Sequence, residues 1–100
     1  MIKVTKKGNF ITIAGHANSG EYGKDIVCAS VSSIVYTTIN AIKRINESAI
    51  EVVDEKNMEI KILVEDETIN ILIDNMIDLL NSLADDYPKN ICVKENWNVF

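Results

Sequence analysis

One histidine and one of two cysteines stand close together in GHANSGEYGKDIVCASVS, residues 15–32, with eleven residues between His16 and Cys28. The same stretch holds Gly15, Gly20 and Gly23, three of the four glycines in the chain. Cysteine is a nucleophile as its thiolate, and thiolate formation at neutral pH needs a nearby cation, a base or a helix N-terminus. An imidazole folded back beside the sulfur can act as base and proton carrier. Taken singly, each residue also has a plain structural role: a cysteine as a small core hydrophobe, a histidine as the polar end of a strand, glycines as loop residues. Two other chemistries fit less well. The glycines match neither GxGxxG nor GxxxxGK[ST], and Lys24 is not followed by Ser or Thr, so a phosphate loop is not indicated. A metal site from His16, Asp25, Cys28 and Cys92 lacks ligand-pair spacing and the four closed ligands of structural zinc, so no metal or other cofactor is expected.

The elements that must position the pair can be read from periodicity. Ile2 and Val4 alternate with Lys3 and Thr5, Lys6-Lys7-Gly8-Asn9 reads as a turn, and FITIA (residues 10–14) as a second strand. From about Asp25 to Ser48 the positions Val27, Val31, Ile34, Val35, Thr38, Ile42 and Ile45 recur at helical spacing. A second hairpin spans Ile50 to Val64 around Asp54-Glu55-Lys56-Asn57. Ile69, Leu72, Ile73, Met76, Ile77, Leu80, Leu83, Ala84 and Tyr87 then form the apolar face of a second helix, stopped by Pro88, and Ile91 to Glu95 make a last strand. The order ββαββαβ predicts an α+β fold, a mixed sheet with both helices on one face, in one domain over residues 1–100.

This places Cys28 in the first turn of the first helix, where unpaired N–H groups and the positive end of the dipole favour an anion. Asp25 has two roles open to it: capping that helix, or orienting His16 in one tautomer. Ser32 lies one turn beyond Cys28 on the same face. The segment 17–24 has almost nothing to bury and is expected to be a mobile loop over the site, with Gly20 and Gly23 allowing its bends.

Composition narrows the field. With 10 basic and 15 acidic residues the formal charge is −5, and no basic stripe appears, so direct nucleic-acid binding is not expected. The opening Met1-Ile2-Lys3-Val4 reads as a strand rather than a signal core, and no apolar run approaches the length needed to span a bilayer; a cytoplasmic protein with two free thiols and no membrane partner is the expectation.

Gly15-His16-Ala17, Gly20, Gly23 and Asp25-Ile26-Val27-Cys28-Ala29, with Val31 and Ser32 following, closely resemble the signature of the ribosomal-processing cysteine protease family, Prp. The resemblance implies a bacterial cysteine endopeptidase. Its members remove a short N-terminal extension, ending in a pair of bulky aromatic residues, from large-subunit ribosomal protein twenty-seven, and act as homodimers. It passes the catalytic roles to His16 and Cys28, and supporting roles to Gly15, Asp25 and Ser32. Two rivals stand beside it: a non-enzymatic ribosome-assembly module of the same fold, and a thiol redox protein in which Cys92 approaches Cys28.

Overall fold

In the computed structural model, residues 1–15 and 25–96 are described, Asp25 and Asn96 by their backbone only. The element order is β1 (Ile2–Lys7), β2 (Phe10–Ala14), α1 (Asp25–Ile45), β3 (Ile50–Asp54), β4 (Met58–Ile62), α2 (Glu67–Asp86) and β5 (Ile91–Asn96). This is the expected ββαββαβ order. The five strands form one mixed sheet in the order β3-β4-β2-β1-β5. Both hairpins are antiparallel, β2 joins them by pairing antiparallel with β4, and β5 returns parallel to β1.

Register explains why one face of the sheet is covered. Ile2 pairs with Ile91, Val4 with Ile13 and Val93, Ile11 with Ile60, and Ile50 with Ile62. Each is buried or packed against the core. Because successive side chains point to opposite faces, this set forms a continuous apolar sheet face. Its alternates, Lys3, Lys7, Glu51, Glu59, Lys61 and Lys94, are exposed on the other. A one-residue slip would exchange the two sets, so burial specifies the register. At the β1–β2 turn Gly8 has φ 59, a left-handed conformation that glycine adopts without steric cost.

The helices cover the apolar face. α1 buries Val27, Val31, Val35, Thr38, Ile39 and Ile42. The inward face therefore follows the expected spacing, with two differences: Ile39 replaces Ile45, which is 52% exposed in the last turn, and Ile34 is only partly buried against the core. Thr38 is tolerated because its hydroxyl donates to the Ile34 carbonyl at 2.9 Å. α2 buries Ile69, Ile73, Met76, Ile77 and Leu80 and packs against α1 and β5. Its start is set by Asp66, whose carboxylate accepts from the Ile69 N–H at 3.1 Å. It ends at Asp86; Tyr87 is the C-cap rather than part of the apolar face.

One expectation from composition needs correcting. Ile26–Ile45, with a mean hydropathy of 1.3, is long and apolar enough to cross a bilayer by those measures alone. The physical reason is its packing role: six of its side chains enter the core between sheet and α2, and a helix facing both acquires an apolar surface wider than a narrow stripe.

Leu80 is fully buried among these elements. Leu80→Ala is expected to lower the unfolding free energy by about 2–5 kcal/mol, and Asp66→Ala by about 1 kcal/mol through loss of the cap. Urea denaturation followed by circular dichroism measures both.

Candidate active site

Cys28 is the fourth residue of α1. Val27 beside it is completely buried, which anchors the first turn to the sheet, while Cys28 itself is half-buried and packs against the edge of the core. α1 opens on Asp25. A carboxylate in that turn still meets the positive end of the helix dipole. Its side chain lies outside the described residues, as do His16, Gly20, Gly23 and the rest of the expected mobile loop over 17–24.

At the end of the sheet below Cys28, β1 begins and β2 finishes. Lys3 pairs with Ala14, so the chain leaves β2 beside Met1 and Ile2. Gly15 makes that exit with φ 85. A Cβ on Gly15 would stand 2.3 Å from the Met1 carbonyl oxygen, far inside van der Waals contact. Both the backbone conformation and the close approach therefore require glycine at the residue immediately before His16.

These features meet in one open depression of about 170 Å³, lined by Ile2, Ile13, Gly15, Cys28, Val31 and Ser32. Of the residues singled out in the sequence, the structure thus brings Gly15, Cys28 and Ser32 together. Ile2, Ile13 and Val31, which supply the apolar walls, were legible only as core positions. A second small cavity of about 60 Å³ shares Ile13, Val31 and Ser32 with the first and continues along α1 to Val35, Tyr36 and Met58. Sequence reading missed Tyr36, although its spacing from Cys28 and Ser32 puts all three on one helical stripe. The Tyr36 hydroxyl donates to the Asp54 carboxylate at the end of β3. That hydrogen bond, then desolvation and the carboxylate charge, raise the pKa of Tyr36 above its ordinary value.

Cys92 is elsewhere. It sits between Ile91 and Val93, which both face the core, and pairs in register with exposed Lys3. Strand alternation therefore turns it to the face opposite the helices. Neither cysteine is in a disulfide, and the sheet separates them. A dithiol, or a metal site that uses both, is not assembled here.

A half-buried cysteine in the first turn of a sheet-packed helix lines this open depression, and the chain is a cysteine protease. It belongs to the cysteine protease Prp family, whose model matches residues 1–92. The ribosomal processing cysteine protease Prp of Mycoplasma genitalium is 29% identical over 98 residues, covering 95% of this chain and 96% of the relative. That of Staphylococcus aureus is 28% identical over 85 residues, covering 81% of this chain and 80% of the relative. Among solved structures, a Streptococcus mutans protein superposes with a TM-score of 0.80 at 25% identity, covering 94% of this chain and 90% of that one. The fold is also shared with the essential S. aureus ribosomal processing protease Prp bound to a covalently linked product peptide, with a TM-score of 0.82, 22% identity, and coverage of 95% and 97%.

Gly15→Ala should impair both folding and turnover. A left-handed non-glycine residue costs about 1–3 kcal/mol, before the collision with Met1 is counted. Thermal unfolding and peptide hydrolysis, measured on the same preparation, are expected to show a lower Tm and at least a tenfold loss in kcat/KM.

Proposed function

We propose that this protease removes a short N-terminal extension from large-subunit ribosomal protein twenty-seven, with Cys28 as nucleophile and His16 as general acid and base. The observation that carries the reading is the convergence of Cys28, Gly15 and Ser32 on one open depression at the start of α1. It is supported by the curated relatives, called ribosomal processing cysteine proteases, and by the same fold in an S. aureus protease crystallised with a substrate peptide.

In this reading the Cys28 thiolate attacks the scissile carbonyl carbon, forming the C–S bond as the carbonyl electrons move to oxygen. N–H groups of the first turn of α1 donate to the oxyanion. Protonated His16 gives its proton to the leaving amine as the C–N bond breaks. Neutral His16 then takes a proton from water, which attacks the thioester and releases the new carboxylate and the Cys28 thiolate. Gly15 directs the chain from β2 into His16, Asp25 stabilises the helix start or orients the imidazole, and Ser32 offers a hydroxyl one turn beyond the sulfur. A net charge of −5 suits approach of a basic ribosomal protein. The reading also includes a single domain over residues 1–100, a homodimer, and residence in the cytoplasm, where ribosomal proteins are made.

Two experiments test it. In mass spectrometry of the ribosomal precursor mixed with enzyme, Cys28→Ser should abolish the shortened product, whereas Cys92→Ser should leave it within about twofold, as suits a thiol on the uncovered sheet face. Equal losses would exclude the assignment. His16→Ala is expected to lower kcat by about 10²–10⁴-fold, the usual contribution of a general acid and base. Near-full activity in that variant would remove His16 from the mechanism.

A further inference from the structure

The negative charge of the chain is concentrated in one place. Residues 62–88 hold seven of the 15 acidic residues and none of the 10 basic ones, so the remainder carries ten basic against eight acidic. α2 fills most of this span. Its outer stripe, Glu67, Ile71, Asp74, Asp78 and Asp85, falls at helical spacing and is exposed throughout. Helix stability does not account for these charges. Asp74 and Asp78 are like charges four residues apart, which repel. Asp85 and Asp86 stand at the negative end of the helix dipole, where α1 by contrast carries Lys43 and Arg44. None of these carboxylates is ion-paired among the described residues. A pattern that breaks local rules with no structural gain is expected where function requires it.

The face also has a groove. Asp74, Ile77 and Asp78 of α2 meet Glu95 of β5 around a depression of about 210 Å³. Ile77 is buried and supplies an apolar floor, and carboxylates from two elements rim it. This lining complements a lysine or arginine, whose methylene stem covers carbon surface while its charged head meets the carboxylates. The face starts at the same end of the sheet as the active site. α2 ends at Asp86, and the chain enters β5 through Asn90, whose carbonyl accepts from the Ile2 N–H at 2.8 Å. Ile2 in turn lines the depression at Cys28. The stripe therefore begins with Asp85 at that end and runs away from it. Glu95 lies four residues along β5 from Ile91, about 13 Å of extended chain.

We propose that the outer face of α2, with its groove against β5, docks a basic stretch of the substrate protein four or more residues from the cut. The occupant is argued from charge. The relatives are ribosomal processing proteases, and a protein that packs on ribosomal RNA carries lysines and arginines to neutralise phosphates. The inference rests on the peptidase reading of Cys28 and adds a second point of recognition, outside the site where the bond is broken.

The test compares two substrates and two sets of charge changes in the full chain. One substrate is the whole ribosomal precursor, and the other is a short peptide that spans the cut and lacks basic residues. Asp74→Asn, Asp78→Asn and Glu95→Gln together should lower kcat/KM for the precursor about tenfold, within the range of electrostatic steering. The short peptide should be cleaved as before. The loss should lie in KM rather than kcat, and it should shrink as the Debye length falls from about 10 Å at 0.1 M to about 3 Å at 1 M salt. Glu47→Gln, Glu51→Gln and Glu59→Gln, all exposed and away from α2, change the net charge equally and should affect neither substrate. Removing the like-charge pair should leave Tm unchanged or raise it, which separates the loss from misfolding. Equal losses in the two triple variants overturn the proposal. So does unchanged cleavage of the precursor by the α2 variant; an accompanying change in sedimentation mass would then assign the face to a second copy of the chain. Kd of the precursor for the Cys28→Ala protein reads docking without turnover. A Kd weakened about tenfold by the α2 changes, in a protein whose wild type cleaves neither substrate, would count against the peptidase reading and leave the docking face standing.

Discussion

Burial of the first turn of α1 is the constraint on which the rest of the site depends. Val27 has no exposed surface, and Val31 and Val35 continue the same face into the core. Burying side chains of this size stabilises by about 1.5–3 kcal/mol each relative to exposure, so the helix cannot rotate or slide without a large loss. Cys28, next in sequence to Val27, is held at the rim of that contact, half in the core and half in the depression. Cys28 thus inherits its position from hydrophobic packing, and polar interactions around it need only tune its chemistry.

The sheet supplies the second half of the geometry. Antiparallel pairing brings the end of β2 beside the start of β1, and parallel pairing of β5 locks β1 from its other side. Ile2 is consequently buried at the end of the sheet below Cys28, and the Met1 carbonyl leaves room for a glycine alone at position 15. Position 15 therefore answers to two demands, φ and space, which one residue type meets.

The degree to which the molecule was legible in its sequence follows from the range of each interaction. Element order came from alternation and helical spacing, which are local, and the hairpin turns came from Gly8-Asn9 and the Asp54–Asn57 run. The choice between Ile39 and Ile45 as an inward residue was not local. Helical spacing allows both, and the tertiary packing around α1 decides: Ile39 is buried and Ile45, in the last turn, stays exposed. Strand order was likewise hidden, since the β2–β4 pairing joins residues about fifty apart. Cys28 and Ser32 were found because they share a helical stripe with a chemically distinctive thiol. The walls of their depression were not, because Ile2, Ile13 and Val31 look like any other core residues until the fold leaves them at an edge.

The two cysteines show how topology separates chemistry that composition alone leaves together. Neither is in a disulfide and both are half-buried, so exposure does not distinguish them. Cys28 lies in the first turn of a helix, where the positive end of the dipole favours an anion; Cys92 lies in the edge strand β5, beside β1, and its parity turns the thiol to the uncovered face. For the sulfurs to meet, β5 would have to shift by one residue. That shift would expose Ile91 and Val93 and bring Cys92 and Lys94 into the core. The energy of that exchange exceeds what a disulfide between them would return, about 2–4 kcal/mol in typical cases. A redox pair is therefore excluded by the pattern that makes the sheet stable, and single-thiol chemistry at Cys28 is the kind that this fold can support.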